Sequence, residues 1–514
     1  MIVGAGTSRA AAALQSFREQ RAAGILDPAG TANLATRAAA DFLSSSVDEG
    51  RYLRDAITLL CEISALPQPQ LAHCGVKGLF PELIERLNDA FEPGCCDLYD
   101  RVMAQIIDFY RHQPRGEKLD ALLRGFGIAS EADLLLRKAR LSKRSERTNR
   151  REIRNNVRKV ILLSRITIGA DVAVTSVLMS TLQAAVPQAE MVLIGPLKLQ
   201  ELFQDYRGLR LRAVTYLREG GVLDRLTSWV DLVGVISQET EGLSEDEVWI
   251  VDPDSRMTQL GLLPVTNNER NYFFFESRSY RHPAIDRLGE LAAHWANQCW
   301  PIPDRVGMKH FPRVAPSAEA LAFGAAVADR LRGRRHRHLL SISLGVGGND
   351  GKRVSAEFED LLVSALSQDA SLVIDKGSTP EERDQVNRLV RTLKLTGSSV
   401  VEAKQGEPII WPASASEVDV FTWEGGIGMF AGLVAASDQY VGYDSAGQHI
   451  AAALGRPTLT VFVNASTPLF ESRWRPTGPT ETRVLSLTRE DVVSKSVEEI
   501  SHAAIALSRE LRQE

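Results

Sequence analysis

The chain has 514 residues, which is too long for one ordinary hydrophobic core and indicates two or three domains. Its 44% hydrophobic and 24% charged residues are close to the averages of globular proteins and exclude wholesale disorder or a fibrous class. The net charge of −5 gives no global reason to expect a nucleic acid as partner. These values predict an ordinary multidomain protein.

The cysteines and the apolar segments indicate the compartment. The 5 cysteines (Cys61, Cys74, Cys95, Cys96 and Cys299) have no zinc-finger spacing and suit a reducing cytosol better than a disulfide framework. No apolar run approaches the ~20 residues needed to span a bilayer, and the start of the chain does not resemble a signal peptide. We therefore expect a cytoplasmic protein, and we leave open contact with the inner face of a membrane.

The first part of the chain has a helical pattern. In segments such as TANLATRAAADFLSS and PELIERLNDAF, apolar residues recur three and four positions apart, which predicts an all-α region over residues 1–145. A basic tract over residues 137–159 then marks the boundary. Its simpler interpretation is a solvated helix or linker. The alternative is attraction to anionic lipid or a phosphorylated acceptor, to which each basic residue would contribute a binding free energy of about 1 kcal/mol.

After the basic tract, strands and helices alternate. KVILLSRI and EMVLIG predict buried strands on either side of a helix at 171–186, which favours a parallel sheet covered on both faces. The segment 209–316 is less regular, although VWIVD and YFFF predict strands in it. We expect residues 146–325 to form a first Rossmann-like lobe.

A second series of strands and helices predicts another Rossmann-like lobe over residues 326–514. Its strands are HLLSIS, SLVIDK, QYVGYD and TLTVFV, and its helices include SAEFEDLLVSAL, PEERDQVNRLVRTL and AGQHIAAAL. Two lobes of this kind place ligands in a crevice at the carboxyl ends of their strands. Candidate site residues are therefore sought in the loops that follow the strands.

Three such loops carry chemically useful side chains. In SRITIGAD a strand leads through Gly169 to Asp171, which either caps a helix or acts as a general base toward a sugar hydroxyl. In GVGGNDGKR, glycines permit close approach of a phosphate and Lys352 and Arg353 can neutralise it, although a tight surface turn explains the pattern equally well.

The third loop is followed by a compact Ala-rich helix, in GYDSAGQHIAAALGRP. Free amides at the helix start can hold a diphosphate, Asp444 can accept sugar hydroxyls, and His449 can donate to phosphate or fix the loop. The simpler interpretation is that Asp444 and Ser445 cap the helix and that His449 packs in the core.

The same segments resemble a known family. DSAGQHIAAALGRPTLTVF is similar to the strand-helix-strand signature D-[ST]-G-x-x-H-[ILM]-A-A-A-L-G-x-P of the ADP-heptose:lipopolysaccharide heptosyltransferases, glycosyltransferase family 9, which have the GT-B fold. KVILLSRITIGADV resembles the family's strand and G-D-V loop, and SLGVGGNDGKRVSAEFEDLL resembles its K-R loop and the following helix. The resemblance covers most of residues 157–475, with gaps in 209–316, and does not reach the helical N-terminal region.

The resemblance implies roles for these residues. It gives Asp171 as the base that activates the acceptor, Lys352 with Arg353 as contacts to the donor phosphates, and Glu382 as a further donor contact, although helix capping explains Glu382 equally well. It implies that the donor is held by Asp444, Ser445, Gly447 and His449. The chain departs from the family pattern by an insertion of Ala170, by Val354 in place of Trp, and by Ala446 before Gly447.

The predicted function is an inverting, metal-independent transfer of a heptose or hexose from a nucleotide-diphosphate sugar, with ADP-heptose as first candidate, to lipopolysaccharide, polysaccharide or protein. We expect no cofactor besides this donor, and we attribute the D-x-D spelled by Asp252, Pro253 and Asp254 to chance. The alternatives are a non-catalytic nucleotide-sugar-binding or scaffold protein and another GT-B enzyme, such as a sugar-nucleotide epimerase. The sequence predicts neither the role of the N-terminal helices nor the oligomeric state.

Overall fold

The predicted fold class, α/β of the GT-B type with an additional all-α N-terminal region, is confirmed in its elements. The computed structural model describes residues 5–146, 156–217, 220–301, 310–332, 338–412 and 418–512. Two parallel sheets with helices between their strands follow a helical region. Part of the basic tract, residues 147–155, lies outside the described residues.

The N-terminal region contains the helices that the apolar spacing predicts. Proline at the first position is compatible with a helix start, and Pro28, Pro69 and Pro93 each begin a helix here. The helices are α1 (Ala5–Ala23), α2 (Pro28–Leu43), α3 (Arg54–Ser64), α4 (Pro69–Leu79), α5 (Glu85–Asp89), α6 (Pro93–Arg111), α7 (Glu117–Gly125) and α8 (Glu131–Glu146).

The first sheet has five strands in the order β3-β2-β1-β4-β5. Strand β4 is buried along its whole length, as expected for a parallel strand covered on both faces, and it pairs in parallel with β1 and β5. The elements are β1 (Lys159–Leu163), α9 (Ile168–Ala170), α10 (Ser176–Ala185), β2 (Glu190–Gly195), α11 (Gln200–Phe203), β3 (Leu209–Ala213), α12 (Val222–Glu239), β4 (Val248–Asp252), β5 (Tyr272–Phe274) and α13 (Leu288–Cys299).

The second sheet has seven parallel strands in the order β12-β11-β10-β6-β7-β9-β8. Alternate residues of a strand face opposite sides, so Leu340 and Leu339 belong to two different apolar clusters. The elements are α14 (Ala318–Arg332), β6 (His338–Ser343), α15 (Ala356–Asp369), β7 (Ala370–Asp375), α16 (Pro380–Leu395), β8 (Val400–Lys404), β9 (Val420–Glu424), α17 (Ile427–Ala436), β10 (Gln439–Tyr443), α18 (Ala446–Ala453), β11 (Thr458–Val463), α19 (Pro468–Trp474), β12 (Thr482–Leu487), α20 (Arg489–Ser494) and α21 (Val497–Glu510).

The chain separates into two compact units that the sequence did not indicate. The first unit consists of Met1–Ile166, Ile194–Pro196 and Arg212–Arg281. The second consists of Thr167–Leu193, Leu197–Leu211 and His282–Glu514. The domain boundaries expected near residues 145 and 325 stay predictions.

Within the first unit, helix α8 packs against edge strand β5 through two cations. The guanidinium of Arg137 lies over the ring of Tyr272 at 5.5 Å, and the ammonium of Lys138 lies over the ring of Phe274 at 4.4 Å. Lys138 is buried, and its Nζ lies 3.0 Å from Glu276 and 3.7 Å from Asp100. The N-terminal helices are therefore anchored to the first sheet by buried charges.

One helical stretch among the described residues is long and apolar enough to cross a bilayer, namely Ile168–Ala185. Of this stretch, 72% is buried inside the protein, as is typical of a core helix. The five cysteines are free thiols.

We expect Lys138→Met to lower the free energy of unfolding by about 3 kcal/mol, because the substitution leaves two largely buried carboxylates, those of Asp100 and Glu276, without their cation. Chemical denaturation of the full chain measures this change. Lys143→Met, at an exposed position of the same helix, is the control and should change the value by less than about 0.5 kcal/mol. Equal stability of the two variants would contradict an anchoring role for Lys138.

Candidate functional site

The site is built where two segments that are distant in sequence meet within the second unit. A Cβ atom placed on Gly169 would lie 3.2 Å from the Cα of Ala446 and 3.2 Å from the Cδ2 of His449. The absence of a side chain at Gly169 therefore allows α9 to approach the start of α18 closely. This contact brings the predicted base segment beside the predicted donor helix.

A π-helical turn over Asp171–Thr175 follows α9 directly. A π turn contains one residue more than an α turn, which is one way to accommodate an inserted residue such as Ala170. The helix begins at Ile168 with Thr167 at its N-cap, three residues before the predicted start. Asp171 therefore lies one turn inside the helix, away from the N-cap position.

The carboxylate of Asp171 is completely buried. Its Oδ1 accepts a hydrogen bond of 2.7 Å from the hydroxyl of Thr175. A general base must come within hydrogen-bond reach of the proton that it removes, so a base role for Asp171 requires an acceptor hydroxyl to enter this buried position.

Lys352 and Asp444, both predicted donor contacts, form an ion pair with each other. The Nζ of Lys352 donates to Asp444 Oδ2 at 2.5 Å, and the side-chain amide of Gln448 donates to Asp444 Oδ1 at 2.7 Å. Lys352 has 28% of its side chain exposed, whereas Asp444 has 11%. The ammonium group is therefore the more accessible member of the pair. It lies in an irregular segment after β6, as the glycines of this segment predicted.

His449 is buried on the first turn of α18, as the core-packing interpretation expects. Its ring packs edge-on against Trp474 with a centroid distance of 5.9 Å. Burial lowers the pKa of His449 to about 4, because the charged ring would lose its hydration; Asp444 raises the pKa and Lys352 lowers it, both less strongly. At neutral pH this histidine therefore provides a neutral ring and no positive charge.

Ser445 and Gly447 form the start of α18. Ser445 occupies the N-cap position, but its side chain makes no capping hydrogen bond. A Cβ atom on Gly447 would lie 2.1 Å from the hydroxyl of Tyr440, so glycine is required here by the packing of a buried tyrosine. The glycine that the resemblance assigned to donor binding thus has a structural reason of its own.

Arg353 lies in a buried ion pair. Its guanidinium donates to Glu359 Oε1 at 2.6 Å, and 10% of its side chain is exposed. The same carboxylate accepts from the hydroxyl of Tyr443 at 3.3 Å. Burial raises the pKa of Glu359, and Arg353 opposes that rise. Contact between Arg353 and a donor phosphate stays a prediction.

Glu382 occupies the N3 position of α16 and is buried. Its two carboxylate oxygens accept hydrogen bonds from backbone amides of two loops, which include those of Val346 and Ser378. The neighbouring Glu381 is exposed. The capping interpretation therefore describes the geometry of Glu382, whereas a direct contact with the donor stays a prediction.

The acidic D-x-D sequence is a structural element of the first unit. Asp252 accepts from the hydroxyls of Thr258 and Tyr272, each at 2.6 Å. Asp254 has a φ of 70° and pairs with Arg278 at 2.5 Å. Among the described residues, no group of three or more His, Cys, Asp or Glu side chains is arranged to hold a metal ion.

Sequence analysis did not single out two polar residues of this region. The side-chain amide of Gln448 donates to Asp444, and its place in the first turn of the helix that follows this aspartate was a usable signal. Asp375 ends strand β7, accepts from Ser343 Oγ at 3.2 Å, and has a pKa raised to about 6 by burial. Its place at the carboxyl end of a predicted strand could have identified it.

Part of the second unit matches a known protein family. The model of glycosyltransferase family 9 (heptosyltransferase) matches residues 426–502. The predicted resemblance is confirmed over these residues, and the match supports the predicted enzyme class, a glycosyltransferase. The matched segment includes α18, and hence Asp444, Ser445, Gly447 and His449. No curated protein matches the chain.

Several solved structures are similar in fold. The family 9 glycosyltransferase of Veillonella parvula is 14% identical with a TM-score of 0.49, and 70% of this chain and 100% of that chain are covered. E. coli ADP-heptose lipopolysaccharide heptosyltransferase II is 14% identical with a TM-score of 0.44 and coverages of 69% and 99%. E. coli heptosyltransferase WaaC with ADP is 13% identical, with a TM-score of 0.45 and coverages of 68% and 99%. Identities of 13% to 14% and TM-scores below 0.5 do not identify the function of this chain.

The low pKa of His449 makes stability depend on pH. The unfolded chain protonates this ring near its ordinary pKa of 6.5, whereas the folded chain does so only near about 4. Stability is therefore lost as the pH falls through this window, by at most about 1.4 kcal/mol per unit. Between about pH 7 and pH 5, urea unfolding should show that the wild type loses about 2 kcal/mol more than His449→Gln. Equal losses would contradict a buried neutral His449.

Proposed function

We propose that the protein is an inverting, metal-independent glycosyltransferase that moves a heptose or hexose from a nucleotide-diphosphate sugar, ADP-heptose being the first candidate, to a lipopolysaccharide, polysaccharide or protein acceptor. The observation that carries the proposal is the packing of Gly169 against Ala446 and His449. This packing joins a segment that contains a buried carboxylate to the helix that the family model matches.

The donor diphosphate would be held by one cation and one helix start. Lys352 supplies an accessible ammonium on the loop after β6, and a helix N-terminus such as that of α18 favours anions through its free amides and its dipole. Asp444 would exchange its bond to Lys352 for hydroxyls of the donor. Because a lysine and amides neutralise charge without a metal ion, these groups support a metal-independent departure of the nucleoside diphosphate.

In the transfer step, an acceptor hydroxyl oxygen attacks the anomeric carbon as the bond from that carbon to the donor phosphate breaks. Asp171 takes the hydroxyl proton, and the electron pair of the broken bond leaves with the nucleoside diphosphate. The complete burial of Asp171 excludes water from its carboxylate. A cytoplasmic location would match a donor of this class.

One observation favours a second candidate, a non-catalytic nucleotide-sugar-binding protein. The complete burial of Asp171 in the π turn, with Thr175 already bound to it, is also what a structural carboxylate would show. Such a protein would retain the donor contacts of Lys352 and Asp444 and would show no turnover. The two candidates therefore differ in the consequence of changing Asp171.

We expect Asp171→Asn to reduce kcat for sugar transfer by at least about a hundredfold while the donor Kd changes less than about threefold, because the amide fits the same space but cannot take a proton. Initial rates with the best donor and calorimetry of donor binding measure the two quantities. Asp369→Asn, on the surface of the same unit, is the matched control and should change neither. Full turnover of Asp171→Asn would contradict the assigned base.

We expect Lys352→Ala to raise the donor Kd by about tenfold to a hundredfold, since a hydrogen bond to a charged group contributes about 1.5 to 3 kcal/mol. Lys495→Ala is the matched control, because this lysine is also paired with an aspartate, at 2.7 Å, but lies at the C-cap of α20. An unchanged Kd for Lys352→Ala, measured by the same calorimetry, would remove the loop after β6 from the donor site.

A further inference from the structure

The carboxylate of Glu382 connects two loops that lie far apart in sequence. Its Oε2 accepts from the amides of Ser378 and Thr379, at 2.8 and 3.3 Å, at the start of its own helix α16. Its Oε1 accepts from the amides of Val346 and Gly347, at 3.0 and 3.2 Å, in the loop after β6. Four backbone donors thus converge on one buried side chain.

This arrangement exceeds an ordinary helix cap. In a capping box, the residue at N3 accepts only from the N-cap residue of its own helix, as Glu499 does in α21 with a bond of 2.8 Å to Ser496. Glu382 makes that local bond with one oxygen and uses the other for a loop more than thirty positions earlier. The second pair of bonds therefore contributes nothing to the helix and restrains the loop.

Two glycines leave the space that this carboxylate occupies. A Cβ atom on Gly345 would lie 3.0 Å from Glu382 Oε1, and one on Gly377 would lie 2.5 Å from Oε2. Gly377 also has a φ of 77°, in the left-handed region that side chains disfavour. The absence of side chains at these two glycines is therefore explained by the space that the carboxylate of Glu382 needs, as well as by the approach of a donor phosphate.

The restrained loop carries Lys352. Beyond Val346 and Gly347, the chain continues into a short 3-10 helix at Asp350–Lys352, from which the lysine reaches Asp444. A negative charge beside the loop would repel a diphosphate if Glu382 faced it directly, but its oxygens are occupied by amides. The carboxylate can therefore fix the loop without contacting the donor.

We propose that Glu382 is a positioning residue that holds the loop after β6, and through it Lys352, in the conformation that binds the donor. This inference rests on the proposed function. It replaces the direct donor contact expected for Glu382 by an indirect role, because all the hydrogen bonds described for its carboxylate are to backbone amides.

The test compares Glu382→Gln with Glu499→Gln in the full chain. Glutamine retains the size of the side chain, but it has one acceptor oxygen and an amino group that faces backbone donors. We expect faster hydrogen exchange at residues 344–349 in Glu382→Gln, by about tenfold or more, with unchanged exchange in β6. We also expect the KM for the nucleotide sugar to rise about tenfold, with kcat within about threefold. Glu499→Gln, which loses only a local cap, should change neither.

The outcomes separate this proposal from the function on which it rests. If the wild type neither binds nor turns over a nucleotide sugar, the proposed function fails, and with it the donor role of Glu382, whatever the exchange shows. If donors bind but exchange in the loop is unchanged, or is faster with an unchanged KM, the positioning role is overturned while the function stands. If Glu382→Gln does not fold, Glu382→Asp serves instead. Aspartate retains the charge, and its shorter side chain weakens the hydrogen bonds to only one of the two loops.

Discussion

The whole candidate site depends on the close approach of two backbones at Gly169. Because no side chain intervenes, the first turn of α9 can lie against Ala446 and His449, and the base segment and the donor helix share one compact unit. A Cβ atom at position 169 would lie 3.2 Å from the Cα of Ala446 and from the ring of His449, so a larger residue there would need these neighbours to move by a few tenths of an ångström. This contact places the segment that contains Asp171 beside the start of α18.

Around that contact, most charged groups hold one another in place and only some remain accessible. Arg353 and Glu359 form a buried pair, the amides of two loops occupy Glu382, and His449 is neutral. Lys352 has more of its side chain exposed than the Asp444 with which it is paired. A site of this kind is preorganised, since its polar groups are already oriented before a ligand arrives. Electrostatic stabilisation of a leaving diphosphate then requires little rearrangement.

The sequence predicted those parts of the structure whose signals are local. Buried runs such as KVILL and TLTVFV gave the parallel strands, and the spacing of apolar residues gave the N-terminal helices. Helix α12 was missed although Leu226, Trp229 and Leu232 have helical spacing, whereas the aromatic run YFFF correctly predicted strand β5. The π turn, the bridge made by Glu382 and the burial of Arg353 depend on tertiary contacts, and no local pattern specifies them. The structure therefore brings several of the predicted site residues close together, whereas their individual partners could not be predicted from the sequence and their roles stay predictions.

The central claim is that residues from Gly169 to His449 form a donor site for a nucleotide sugar. The most direct test is calorimetric titration of the full chain with ADP-heptose and with UDP-, GDP- and dTDP-sugars, followed by a hydrolysis assay with the tightest donor. The account predicts saturable binding of one nucleotide class, with slow release of the nucleoside diphosphate in the absence of an acceptor. Failure to bind any of these donors would contradict the assignment of the donor site and, with it, the proposed glycosyl transfer.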